Sequence, residues 1–193
     1  MKFILTFAAI FGLCHAASAA VVVTIDISSP GAVVITTVGA GSSSTGDLTV
    51  NFAGGISFLG FFTDNELITA EEPALISGNW RASGTSTSYN EMVTFEYGSP
   101  DVVPGVDLSI YNLGAVLSDD QNFVLGQQAF FGSSVVDFSS LTHLPAVGTT
   151  GNVMLGYRSS HGGVIGQWEV IPEPTTALLG LLGMGAFAAR RRR

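Results

Sequence analysis

The sequence predicts an all-β domain, an antiparallel β-sandwich of jelly-roll type, with an apolar helix at each end of the chain. Three observations carry that expectation. Gly is abundant at 24 of 193 residues, and only 11% of residues are charged. Gly, Ser, Thr and Val all disfavour helix interiors and suit strands joined by turns. Secondly, short runs rich in Val, Ile and aromatics alternate with clusters of Gly, Pro, Ser and Asn across the middle of the chain. Thirdly, apolar runs of helical length occur only at the two termini.

The strands are expected in chain order. Residues 21–27 and 32–38 are β-branched runs split by Ser29-Pro30-Gly31. Residues 47–52 alternate, with Leu48, Val50 and Phe52 on one side. Residues 56–62 are more continuously apolar, as in a buried strand. Further strands are expected at 91–97, 106–112, 123–130, 133–138, 153–158 and 164–171, with a weak helix at 69–75 interrupted by Pro73. The low-complexity stretch 39–46 is expected to be a flexible loop. Residues 153–158 and 166–170 form an expected closing hairpin, with His161 in its turn.

The N-terminus has Lys2, an apolar run over 3–13 and a small-residue exit at Ala17-Ser18-Ala19. This order is that of a secretory signal peptide, cleaved after Ala19 by signal peptidase. The single cysteine, Cys14, falls inside that segment, and Leu13 before it departs from a lipoprotein signal. The domain left behind has no thiol and is expected to hold together through its core alone.

The C-terminus begins with Pro172-Glu173-Pro174. A run of 15 almost wholly apolar residues, 175–189, follows, and then Arg190, Arg191, Arg192 and Arg193. Two prolines fix φ on both sides of Glu173 and leave an extended, accessible segment. As a helix the apolar run would measure about 22 Å, against a hydrocarbon core of about 30 Å. It would make a marginal span, with the arginines retained on the cytoplasmic side. The chain thus divides into a signal peptide (1–19), an extracytoplasmic domain (20–171) and a sorting segment (172–193).

This tripartite tail resembles the PEP-CTERM sorting signals, and the 153–170 hairpin resembles the closing hairpin that precedes the motif in such proteins. The resemblance implies processing near Pro172-Glu173-Pro174 by an exosortase, a membrane transpeptidase. It also implies a transient inner-membrane anchor and delivery to the envelope or extracellular matrix, in bacteria that also make extracellular polysaccharide.

Apart from Lys2 and the arginine tail, Arg81 and Arg158 are the basic residues, against fifteen Asp and Glu. So acidic a domain repels phosphate backbones, and no nucleic-acid partner is expected. No catalytic residue, metal site or cofactor is expected either. His143 and His161 lie 18 residues apart without zinc spacing, and no nucleophile elbow, P-loop or dinucleotide fingerprint occurs. Carboxylates pair locally at Asp64 with Glu66, Glu71 with Glu72, Asp101 with Asp107, and Asp119 with Asp120. The stretch Asp119-Asp120-Gln121-Asn122 is the best calcium candidate.

The expected function is that of a structural or interaction protein of the cell surface, not an enzyme. An alternative is a carbohydrate-binding module, calcium-assisted, contacting extracellular polysaccharide through Trp80 and Trp168. Glycoside hydrolysis would need two carboxyls converging in a cleft.

Overall fold

The computed structural model describes residues 19–49, 55–62, 74–94, 106–112, 120–141, 143–156 and 163–172. The strands are β1 (Val21–Asp26), β2 (Val33–Thr37), β3 (Gly46–Thr49), β4 (Ile56–Leu59), β5 (Ala74–Gly78), β6 (Arg81–Ala82) and β7 (Glu91–Thr94). They continue with β8 (Val106–Tyr111), β9 (Asp120–Phe123), β10 (Phe130–Phe131), β11 (Ser133–Asp137), β12 (Thr150–Leu155) and β13 (Val164–Ile171). The helical piece among the described residues is a 3-10 turn at Pro30–Ala32, where Pro30 supplies the fixed φ. The expected terminal helices lie outside the described residues.

The β-rich class holds, and the arrangement corrects the expected architecture. Nine strands form one sheet in the order β5-β11-β2-β1-β13-β12-β4-β8-β7. It is mixed, not antiparallel. β1 and β13 run parallel, with Val23 beside Trp168 and Asp26 beside Ile171. The first strand therefore lies in the middle of the sheet against the last. Strand-like alternation tells which face of a strand is buried but carries no information about its partner or direction.

The sheet curls. Phe58 on β4 and Trp80, just after β5, belong to strands six places apart, which a flat sheet would separate by about 29 Å at the usual interstrand spacing. Their ring centroids are 6.2 Å apart. The two edge strands, β5 and β7, also approach each other across the curl. The enclosed space is filled by an aromatic chain. Phe138 meets Phe61 edge-on at 5.8 Å, Phe61 meets Trp168 at 5.4 Å, and Trp168 meets Phe58 at 6.4 Å. From Phe58 the chain continues through Trp80 to Phe130 at 5.4 Å and Phe123 at 5.5 Å. Each such pair adds about 0.5–1.5 kcal/mol beyond its area burial.

Strands β6 and β10 extend the β5–β11 ladder. Gly78 opposes Ser134, and Arg81 opposes Phe131 in continuing register. The break between them is at Gly132 (φ 87°), where a Cβ would fall 2.3 Å from the Asn79 Oδ1. Asn79 bridges the break, its N–H donating to the Ser133 carbonyl at 2.9 Å while its Oδ1 accepts from the Ser133 N–H at 3.1 Å. Ser83 then ties in the β3–β9 pair: its N–H donates to Ala129 and its carbonyl accepts from Asn122, both at 2.9 Å.

Other expectations are corrected locally. Stretch 39–46 is held, not loose: Gly41 bridges Gln128, Ser42 bridges Leu125, and the Ser43 N–H donates to Ile165 at 2.8 Å. The serines that read as low complexity supply these contacts, with Ser42 and Ser44 hydroxyls donating to carbonyls at 2.5 and 2.8 Å. Residues 74 and 75, expected at the end of a helix, begin β5, and 69–73 lie outside the described residues. Residues 124–129, expected within one strand, form a turn between β9 and β10.

Two pairs of buried polar side chains hydrogen-bond to each other. Ser57 and Ser109 oppose each other on β4 and β8 and share a hydrogen bond. Tyr89 donates its hydroxyl to the Oε1 of buried Gln121 at 2.6 Å, and burial raises its pKa well above 10.0. Because the folded state favours the neutral phenol, Tyr89 contributes stability that is complete below pH 10 and is lost as pH rises through its folded pKa. Alkaline unfolding followed by circular dichroism should therefore be blunted in Tyr89→Phe.

Close packing makes a second prediction. A Cβ on Gly151 would lie 2.3 Å from the Leu59 carbonyl oxygen and 2.6 Å from the Trp168 ring, whereas one on Gly163 meets nothing within 4 Å. Gly151→Ala should cost about 1–3 kcal/mol in urea unfolding, the usual range for overpacking, and Gly163→Ala should differ little from the parent.

Candidate functional site

The feature with a chemical assignment is the point where the sheet ends and the tail begins. β13 alternates, with Ile165, Trp168 and Val170 buried and Gln167 and Glu169 half-buried. It is gripped to its last residues. Asp26 of β1 lies opposite Ile171, Gly148 donates to the Val170 carbonyl at 2.8 Å, and the Val170 N–H donates to Thr149 at 2.9 Å. Pro172 is exposed and has no N–H with which to extend the ladder. Exposed backbone thus starts one residue beyond the last paired residue, at Pro172. Glu173, Pro174 and the arginines at 190–193 lie outside the described residues.

The neighbouring turns are closed by side chains. The Asp26 carboxylate accepts from the Ser28 N–H at 2.9 Å and hydroxyl at 2.6 Å. Asp137 likewise accepts from the Ser139 N–H at 2.8 Å, and the Ser139 hydroxyl followed by its N–H lowers the Asp137 pKa below 3.8. The Phe138 N–H donates to Pro30 at 2.7 Å, binding the two turns together. The spacing Asp26-x-Ser28 and Asp137-x-Ser139 is a legible turn signal that sequence reasoning passed over.

Trp80 and Trp168 are both fully buried. The Trp168 indole N–H donates to the Leu59 carbonyl at 3.2 Å, and the Trp80 indole N–H finds no acceptor among the described residues. Neither ring offers a face to a sugar, which corrects the expected glycan contact; their bulk fills the curl of the sheet instead.

The other candidates fall partly on strands and partly outside the described residues. Asp120–Phe123 is strand β9, not a calcium loop; Gln121 is buried against Tyr89 and Asn122 is exposed. Asp64, Glu66, Glu71, Glu72, Asp101, Asp119, Arg158 and His161 lie outside the described residues. His143 is exposed with φ 64°. Among the described residues no three His, Asp or Glu side chains assemble into a metal-binding group. An open groove of about 300 Å³ is lined, among the described residues, by Thr45, Gly46, Asn122, Phe123 and Val124, none of them charged.

The described residues thus form a curled β-sheet domain whose last strand, β13, is followed by an exposed proline. The PEP-CTERM protein-sorting motif matches residues 170–193, and the C-terminal end of the chain carries that motif. The motif implies processing by an exosortase and supports an exported cell-surface protein. No curated protein and no solved structure matches the chain. Among the described residues no helix is long and apolar enough to cross a membrane, and the 175–189 run lies outside them.

The Asp137 turn yields a titration prediction. A lowered folded pKa contributes stability above pH 3.8 that is lost as pH falls through the folded value. Ser139→Ala should move the Asp137 carboxyl back toward 3.8 in an NMR titration, and an unmoved Asp137 would show that the Ser139 hydroxyl does not hold it down.

Proposed function

We propose that the chain is a non-enzymatic structural or interaction protein, made as a precursor, exported through its N-terminal signal peptide and delivered to the envelope or extracellular matrix by cleavage at Pro172-Glu173-Pro174. The observation that carries this reading is the PEP-CTERM motif abutting the end of β13. Among the described residues the last ladder residue is Ile171, so cleavage at the motif removes the tail and the four arginines and leaves β13 whole. An apolar run too short to span comfortably suits a temporary anchor. The inner membrane, signal peptidase and an exosortase are its partners during maturation. The domain then acts through its folded surface. A glycan-binding role would have to use residues other than Trp80 and Trp168.

Mass spectrometry of the mature surface form should find both termini trimmed, and an intact Arg193 there would refute processing. Replacing Pro172, Glu173 and Pro174 together with alanine should leave a membrane-bound precursor and deplete the mature form.

A further inference from the structure

The pairing directions give the nine-stranded sheet two ends. β1 and β13 are parallel and the other neighbouring pairs are antiparallel. β1, β4, β7, β11 and β13 therefore begin at one end, the near end, and β2, β5, β8 and β12 begin at the other, the far end. This sorts the charges in a way that their order along the chain does not. Residues 60–73, between β4 and β5, and 95–105, between β7 and β8, leave and re-enter the sheet at the far end, and they carry six carboxylates and no Lys or Arg. Asp26, Asp107, Asp137 and Glu169 lie in the far halves of their strands. Both arginines of the domain belong to the near end, Arg81 between β5 and β7 and Arg158 between β12 and β13. Asp47, Glu91, Asp119 and Asp120 are the carboxylates of that end.

Arg81 stands in a described row on the outer face. Antiparallel register continues past the end of β2. Thr36 opposes Ser133, the Thr37 N–H donates to the Gly132 carbonyl at 3.3 Å, and Gly41 bridges Gln128, which sets Val38 opposite Phe131. Phe131 in turn opposes Arg81. Residues directly opposite one another share a face of the sheet. Phe130 and Ala82, one step along, are buried, so Val38, Phe131 and Arg81 face outward. Val38 is 49% and Phe131 38% exposed, and the Arg81 guanidinium lies 5.7 Å from the centre of the Phe131 ring. Among the described residues no carboxylate pairs with Arg81, whose Nη1 donates to the Asn79 carbonyl at 3.5 Å. An exposed apolar pair beside an unneutralised cation fits a partner surface that is acidic and carries an apolar residue.

The far end of the same chain has that character. Val147 is exposed there by 56%, beside Gly148 and Thr149, which hydrogen-bond to Val170. The two ends of one copy cannot meet, because β13 alone, at eight residues, is about 26 Å long. The ends of two copies can. Acidic surface elsewhere opposes side-by-side contact, so a second acidic domain is attracted only at the arginine-bearing end.

We propose that processed domains associate head to tail. The acidic far end of one copy, with Val147, docks on the Val38–Phe131–Arg81 row of the next. The contact is heterologous and leaves one free row and one free far end, so it propagates into an open chain of copies. This rests on the processing reading, because the unprocessed tail leaves from the docking far end.

The test follows the mature form, recovered from producing cells, by sedimentation velocity. At an ionic strength of about 0.01 M, where the screening length is about 30 Å, the mean mass should rise with protein concentration beyond that of a dimer. At about 1 M, where that length is about 3 Å, it should fall several-fold. Arg81→Glu and Val147→Arg should each stay monomeric, with circular dichroism checking that both are folded, and Phe131→Asp repeats the row test at an exposed position. Mixed in equal amounts, Arg81→Glu and Val147→Arg should give dimers and nothing larger, because one keeps a sound far end and the other a sound row. A parent that is monomeric at every concentration, a closed dimer that Arg81→Glu leaves intact, or a mixture that stays monomeric overturns the proposal and leaves the processing reading standing. A recovered chain that still ends in Arg193 refutes processing, and the proposal falls with it.

Discussion

The structure depends on one contact, the parallel pairing of β1 with β13 in the middle of the sheet. β1 joins the β2-β11-β5 half to the β13-β12-β4-β8-β7 half. Without it the chain divides into two smaller sheets that cannot curl around one core, and the aromatic chain from Phe138 through Phe58 to Phe123 loses its enclosure. A parallel pair of the first and last strands is the most non-local contact a chain can make. The loop-closure entropy is therefore met late, and the fold is completed only when residue 171 is available.

The end of that pair coincides with the start of the sorting motif. Both neighbours of β13 hold it to its end, and the sorting motif starts at the same place. A chain that has not closed its sheet presents Pro172 at the end of an unpaired strand; a closed one presents it just beyond a paired ladder.

Much of the architecture was readable from the residues, but unevenly. Strands β1, β2, β8, β11 and β13 have strong β-branched or apolar patterns and were found nearly to the residue. The β12–β13 hairpin was found through Gly and aromatic residues at the right spacing. β5 was missed because Thr-Ala-Glu-Glu before Pro73 reads as helical, and β6 because two residues carry no period. Stretch 39–46 was misjudged because Gly and Ser report turn chemistry without reporting whether distant carbonyls will meet them. At the candidate site, Pro172 was legible. The grip on β13 by Asp26, Gly148 and Thr149 was not, since none of these residues lies near it in sequence.

By itself the sequence determined the β class and the C-terminal sorting motif, because composition and the order of a sorting signal are local properties. The tertiary structure alone decided that β1 runs parallel to β13, that the sheet curls, and that both tryptophans lie inside it. Strand alternation has a period of two and records only which side is buried; partner, direction and curvature are settled by how distant side chains fill one shared core.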